Sequence, residues 1–300
     1  MSRADRRFIL ALALWTGLLA TGANLLAGYG LHHWRWLERR LEMPPYEIAA
    51  NLQYYQVNYR RCPIVVLGSS VVGGLPPPGW ERPGICSITL VGQGALLGLE
   101  VMARLTAAPR VLFVEASFGF RDAPPIYLDP ATDPWPEAIR GWLPLTRASA
   151  NWVNMLGKSL YDVPPALWRP SDDWSAWRAA HKQYSDVYLS IYGNPVNDWG
   201  QHHLDDNLAR TRTLVATLEN RGTQVIFFDA PLDPDIAALP IIALWEEKMH
   251  AAFPDHEWVS DSPENYRLTD GMHFASGSGE DFFELLLSHL PEGAMAGSAP

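Results

Sequence analysis

Three side chains in this sequence have the types and the spacing that nucleophilic acyl chemistry requires. Ser70 follows Gly68 and Ser69 at the end of an apolar run, where a glycine permits a sharp turn. A serine hydroxyl is a poor nucleophile at neutral pH, so it needs a base, and the base needs a partner that fixes its tautomer. Asp270 and His273 are three residues apart, so the carboxylate can reach one ring nitrogen while the other faces the serine. We therefore predict a catalytic triad of Ser70, His273 and Asp270.

The elements that must position this triad alternate between short apolar strands and helices. The predicted strands are Ile64–Leu67, Ile85–Val91, Val111–Glu115, Gln224–Phe228 and Glu257–Val259. The predicted helices are 95–106, 204–220, 241–253 and 279–289. This alternation predicts an α/β fold with a mostly parallel sheet and helices on both faces. Ligands of such sheets gather at the carboxyl ends of the strands, where the polar clusters of this sequence lie.

Composition limits the size of the fold and excludes one class of partner. A chain of 300 residues with 48% hydrophobic residues can bury one sizeable core, which fits a single α/β domain with insertions. The formal net charge of -10 argues against nucleic acid, because phosphate binding needs concentrated Lys and Arg. We therefore expect no nucleic-acid partner.

The clearest physical signal is an apolar segment near the N-terminus. Residues 8–28 carry no charged side chain, and a helix of this length matches the thickness of the bilayer core. Arg3, Arg6 and Arg7 precede it, which predicts a cytoplasmic N-terminus and an exported main domain. A cleaved signal peptide, which would make the domain a freely secreted esterase, is the alternative. Because the run is long for a signal peptide and no clean A-x-A site follows, we favour an uncleaved single-pass anchor in the inner membrane.

These signals divide the chain into four parts. We predict a cytoplasmic tip and membrane anchor at 1–30, a juxtamembrane helical segment at 31–60, an α/β domain at 61–291 with a Trp- and Pro-rich insertion at about 123–200, and a flexible tail at 292–300.

The two cysteines of the chain lie beside the starts of the first two predicted strands. If these strands are parallel neighbours, Cys62 and Cys86 lie at the same sheet edge and can form a disulfide in an oxidising compartment. Two buried thiols are an equally good interpretation. Neither the number nor the spacing of the cysteines indicates a metal site, and we expect neither a metal nor a cofactor.

Three runs of the sequence resemble blocks of the SGNH/GDSL hydrolase superfamily. The run at 64–70 (IVVLGSS) resembles the first block, and the run at 270–274 (DGMHF) resembles the last, which holds the Asp and His of the triad. The run at 89–94 (TLVGQG) is similar to the second block, whose glycine N–H helps to form the oxyanion hole. The resemblance covers about residues 61 to 290. It implies a three-layer, flavodoxin-like fold, with the N–H groups of Ser70 and Gly94 as oxyanion donors.

Other features are similar to the envelope branch of that superfamily. They are the membrane segment, Gly-Ser-Ser in place of Gly-Asp-Ser, and the run at 225–231 (VIFFDAP). That branch includes relatives of alginate O-acetyltransferases and the D-alanyl transfer protein of teichoic acid synthesis. The resemblance implies acyltransferase or esterase activity, with O-acetyl chemistry on an envelope or exopolysaccharide glycan and a multi-spanning membrane acyltransferase as partner. A non-catalytic envelope module that binds polysaccharide or that partner is the alternative.

One part of the family pattern is missing after the third strand. The family often has an Asn there that binds the oxyanion, whereas this chain has Glu115, Ala116 and Ser117. Ser117 is the predicted substitute, and the loss of one such donor costs about a hundredfold or more in rate. Ser69, Glu115 and Asp229 are candidate substrate contacts, although for Glu115 and Asp229 we favour structural helix caps.

Overall fold

The computed structural model describes residues 14–19, 21–22, 44–75, 82–124, 127–128, 189–190, 192–275 and 277–294. Most of the predicted membrane segment, most of the Trp- and Pro-rich insertion and the end of the predicted tail lie outside these residues. Within the described ranges, no helix is both long enough and apolar enough to cross a bilayer.

Five strands form one all-parallel sheet. They are β1 (Ile64–Ser69), β2 (Ile85–Leu90), β3 (Val111–Glu115), β4 (Gln224–Phe228) and β5 (Glu257–Val259). Their order across the sheet is β2-β1-β3-β4-β5. The predicted α/β class and parallel sheet are confirmed. β1 is longer than predicted because Gly68 and Ser69 continue its pairing with β2.

Helices connect and flank these strands. They are α1 (Pro44–Asn58), α2 (Ala95–Arg104), α3 (Asp198–Glu219), α4 (Pro234–Ala237), α5 (Pro240–Ala252) and α6 (Ser278–Ser288). The four predicted helices correspond to α2, α3, α5 and α6, with shifted ends. The largest shift is at α3, which begins at Asp198 because the side chain of Asn197 accepts a hydrogen bond from the Gly200 N–H and caps the first turn.

Both faces of the sheet are covered at β4. The ring of Phe227 lies 4.6 Å from that of Phe253, just after α5, and stacks on Trp258. The ring of Phe228 lies 5.9 Å from that of Phe282 in α6. Adjacent residues of a strand point to opposite faces, so these two aromatic clusters lie on opposite sides of the sheet. Burial on both sides explains why β1 and β3 are buried at every residue.

A disulfide joins the amino ends of two neighbouring strands. Cys62 precedes β1, Cys86 lies in β2 opposite Val65, and their sulfur atoms are bonded to each other. Of the two interpretations left open by the sequence, the structure contains the disulfide. The bond lies at the edge of the sheet opposite to the carboxyl ends of the strands, where Ser70 is found.

Candidate active site

Ser70 is the first partly exposed residue after the buried strand β1. It opens a tight 3-10 turn that runs from Ser70 to Gly74. The side chain of Ser69 caps this turn by accepting a hydrogen bond from the Val71 N–H at 3.2 Å. The backbone on both sides of Ser70 is therefore held in place, and its hydroxyl lies at the carboxyl edge of the sheet.

Asp270 and His273 belong to a tight loop between β5 and α6. One oxygen of Asp270, Oδ1, accepts hydrogen bonds from the N–H groups of Met272 at 3.2 Å and His273 at 3.0 Å, which closes the loop. Gly271 has φ of +88°, a left-handed conformation that favours glycine. The other oxygen, Oδ2, remains available for the imidazole ring.

The structure brings together the three side chains that the sequence singled out. The distance from His273 Nδ1 to Asp270 Oδ2 is 2.7 Å, and the distance from His273 Nε2 to Ser70 Oγ is 3.0 Å. Ser70 and His273 are 203 residues apart in the chain. These contacts assign the tautomer: Nδ1–H donates to the carboxylate, which leaves Nε2 to accept the proton of the serine hydroxyl.

The charge of Asp270 is well suited to this contact. Burial alone would raise the pKa of Asp270. The hydrogen bond and charge of His273, together with the two backbone N–H groups, outweigh burial and lower that pKa below its usual value. Asp270 is therefore ionised at neutral pH, where it can orient the ring and stabilise an imidazolium.

The predicted oxyanion donors differ in their structural setting. Gly94 is the residue that precedes α2, and a Cβ there would collide with the carbonyl oxygen of Phe118. A glycine is thus required by close backbone packing, and its oxyanion role stays a prediction. Ser117 is buried, and its hydroxyl oxygen accepts a hydrogen bond from the Ala230 N–H at 3.0 Å. This bond ties the end of β3 to the end of β4, so the structure gives Ser117 a bridging role and offers no support for it as an oxyanion donor.

Ser69 and Glu115 are each only 1% exposed, and their predicted contact with substrate stays a prediction. In the structure they contact each other. The Ser69 N–H donates to Glu115 Oε2 at 2.5 Å, and the Ser69 hydroxyl donates to Glu115 Oε1 at 3.0 Å. Glu115 is not a helix cap. It lies beneath the turn that carries Ser70.

Asp229 belongs to a second cluster, which the sequence reasoning missed. Its Oδ2 lies 3.1 Å from His250 Nε2, and donor atoms of Asp229, Glu246 and His250 all lie within 4.8 Å of one another. Burial raises the pKa of Asp229 against the opposing effect of His250. Asp229 thus pairs with a helix side chain and caps no helix. A Glu-x-x-x-His spacing that places both side chains on one face of α5 was the available signal.

This cluster bears on two predictions. Its donor atoms are close enough to share a cation, so the expectation of a metal-free protein stays a prediction. A substrate contact by Asp229 also stays a prediction, and no hydrogen bond among the described residues links its cluster to Ser70, whose bond runs to His273.

Comparison with known proteins finds no match for this chain. No family model matches the chain, and neither a curated protein nor a solved structure matches it. The function must therefore be argued from the site itself, which offers a hydroxyl on a tight turn, an imidazole in contact with it and an ionised carboxylate behind the imidazole.

Proposed function

We propose that this protein is a membrane-anchored acyltransferase or esterase that acts on an acyl ester, in particular an O-acetyl group, of an envelope or exopolysaccharide glycan. The observation that carries the proposal is the continuous chain of contacts from Ser70 Oγ through His273 to Asp270. Each contact falls within hydrogen-bond reach of a nucleophile, its base and the group that orients the base.

The reaction follows from these contacts. His273 Nε2 takes the hydroxyl proton as Ser70 Oγ bonds to the acyl carbon, and the carbonyl becomes a tetrahedral oxyanion. The imidazolium then returns its proton to the departing alkoxide, which leaves an acyl-serine. A sugar hydroxyl or a water then loses its proton to His273 as its oxygen bonds to the acyl carbon. The bond between the acyl carbon and Ser70 Oγ breaks, the imidazolium returns the proton to Oγ, and the acyl group leaves on the acceptor. Asp270 keeps its charge throughout and stabilises the imidazolium.

The oxyanion sits against backbone donors in this proposal. The N–H of Ser70 follows β1 directly, and Gly94 stands at the amino end of α2, where free N–H groups and the helix dipole favour negative charge. We assign the oxyanion site to these two N–H groups.

The topology supports an SGNH-like, three-layer assignment. The order β2-β1-β3-β4-β5 is the order of flavodoxin-like doubly wound folds. In that arrangement the order reverses between β1 and β3, and ligands bind outside the carboxyl ends of these strands. Ser70 follows β1 at this edge.

Two features support an inner-membrane anchor and an exported domain. Residues 14–19 are helical, and Leu14, Trp15, Leu18 and Leu19 are each more than half exposed. Exposed apolar side chains on a helix are favourable in lipid and unfavourable in water. The disulfide between Cys62 and Cys86 is of a kind that persists in oxidising compartments such as the periplasm.

The glycan acceptor and a multi-spanning acyltransferase partner rest on the resemblance to the envelope branch alone. They are tested by comparing glycan acetylation in cells that carry the wild type, Ser70→Ala or His273→Ala. We expect acetylation to be altered in both variants, and equal acetylation in all three strains would contradict the proposed substrate.

A serine-directed phosphonate probe tests the chemistry directly. We expect the wild type to be labelled and Ser70→Ala to remain unlabelled. Ser288→Ala is the matched control, because that exposed hydroxyl donates to the Leu285 carbonyl within its own helix, and this variant should be labelled as the wild type is. A wild type that takes no label but binds glycan would instead indicate a non-catalytic binding module.

A further inference from the structure

A buried carboxylate holds the residue that precedes the nucleophile. Glu115, the last residue of β3, accepts the Ser69 N–H at Oε2 and the Ser69 hydroxyl at Oε1. The same hydroxyl oxygen accepts the N–H of Val71. The N–H groups on both sides of Ser70 are thus fixed by one chain of hydrogen bonds that starts at Glu115.

Gly68 leaves the space that this carboxylate occupies. Because Leu67 pairs with Val114, the next residues, Gly68 and Glu115, lie side by side. A Cβ at Gly68 would collide with both Oε2 and Cβ of Glu115. The φ of Gly68 is not positive, so this glycine is explained by the close approach of the carboxylate and not by an unusual backbone conformation.

We propose that Glu115 is a positioning residue: it holds Ser69, and through it the Ser70 turn. This inference rests on the proposed acyl chemistry at Ser70. It gives the site two carboxylates, Asp270 beside the imidazole ring and Glu115 beneath the serine.

Burial makes the hydrogen bonds of Glu115 necessary. It raises the pKa of Glu115 above its usual value against the opposing effects of Ser69, Arg121 and His273. Both side-chain oxygens are satisfied by Ser69, as a buried polar group requires. The hold on Ser69 is therefore part of how the structure accommodates this carboxyl group.

Two variants separate the charge of Glu115 from its hydrogen bonds. Glu115→Gln removes the charge, while its amide can still accept the Ser69 N–H and donate to the Ser69 hydroxyl oxygen. Ser69→Ala keeps the charge and removes the link to the Val71 N–H. Glu284→Gln is the matched control, because Glu284 is an exposed carboxylate paired with Arg82.

The experiment measures kcat and KM on a small acyl ester, together with the NMR signals of the Ser69 and Val71 amide groups. For Glu115→Gln we expect kcat to fall about tenfold with KM nearly unchanged, because a neutral amide holds Ser69 less strongly than a carboxyl group that accepts both bonds. The signals of both amide groups should move. Ser69→Ala should lower kcat and move the Val71 signal, and Glu284→Gln should change neither kcat nor the signals.

The double variant completes a cycle. If Glu115 acts through Ser69, the two losses in kcat are not independent, and the double variant should lose less than the product of the two single losses. Multiplicative losses, or unmoved Ser69 and Val71 amide signals in Glu115→Gln, would overturn the proposal. The NMR signals need no turnover, so they decide whether Glu115 holds the turn even if the wild type proves to have no esterase activity, a result that would count against the proposed function alone.

Discussion

Two of the Asp–His pairs in the described part of the chain invite comparison, and of these two only one has a nucleophile beside the imidazole. In the first, Asp270 contacts His273 Nδ1 at 2.7 Å and the other ring nitrogen faces Ser70. In the second, Asp229 contacts His250 Nε2 at 3.1 Å, and the His250 ring stacks on Trp258 with centroids 3.7 Å apart. A paired carboxylate and imidazole are therefore not enough. A nucleophile at the second ring nitrogen makes the difference.

The two aspartates also differ in charge preference. The pKa of Asp270 is lowered because His273 and two loop N–H groups together outweigh burial. The pKa of Asp229 is raised because burial outweighs its bonds to His250 and Ser260. The first site favours a permanent carboxylate, which a triad requires, and the second resists one.

The largest expected effect is the loss of activity on removing the nucleophile or the base. Ser70→Ala and His273→Ala should each lower kcat on a small acyl ester by about 10⁴-fold or more, since members of a triad act as a unit. His250→Ala, the matched change in the second pair, should stay within about twofold of the wild type. Equal losses in His250→Ala and His273→Ala would contradict the distinction between the two pairs.

The next largest effect concerns the carboxylates. Asp270→Asn should lower kcat by about a thousandfold or more, because an amide in its place favours the wrong tautomer of His273. Asp229→Asn should leave kcat within about twofold. Steady-state kinetics on the same ester measure both. A strong loss in Asp229→Asn would instead support its predicted contact with substrate.

A smaller effect is expected from adding a methyl group at Gly68, just before the turn that carries Ser70. Gly68→Ala forces a methyl group against Glu115 and should lower kcat about tenfold and the melting temperature by about 5 °C. Gly98→Ala is the control, since the atoms nearest to its methyl group belong to the side chain of Leu67 and not to Glu115. Gly98→Ala should lower the melting temperature and leave kcat close to that of the wild type. If Gly68→Ala also had the kcat of the wild type, the contact between Glu115 and Ser69 would not be needed to position the turn that carries Ser70.

Local pattern was enough to predict the triad. Ser70 could be found because a strand, a glycine and a serine are adjacent in sequence, and Asp270 with His273 because three residues separate them. The strands β3, β4 and β5 could be placed because short apolar runs in a parallel sheet are buried on both faces.

The support of the site could not be predicted in the same way. The contact between Ser69 and Glu115 depends on the register of β1 against β3, which joins residues 46 positions apart and which no local pattern specifies. The same holds for His250, whose partner Asp229 lies on a different element, 21 positions away. The burial of Glu115 could not be predicted either, because a carboxylate at a strand end is usually exposed and its neighbours in space are not given by the sequence.

The smallest expected effect is a difference between Asp270 and Asp229 in how the stability of the folded protein depends on pH. Because the pKa of Asp270 is lowered on folding, its stabilising contribution is present above about pH 4 and is lost as the pH falls through the folded value. Because the pKa of Asp229 is raised, its ionised form opposes folding, and this penalty is relieved as the pH falls from above the raised value towards about pH 4.

As the pH falls, the melting temperature of the wild type should therefore decrease relative to that of Asp270→Asn and increase relative to that of Asp229→Asn. As the pH falls from about 5 to 3, the wild type should lose stability relative to Asp270→Asn. As the pH falls through the raised pKa of Asp229 towards about pH 4, it should gain stability relative to Asp229→Asn, and each change should be about 1–3 °C. Two curves of the same sign would mean that the two aspartates do not differ in the way their surroundings indicate.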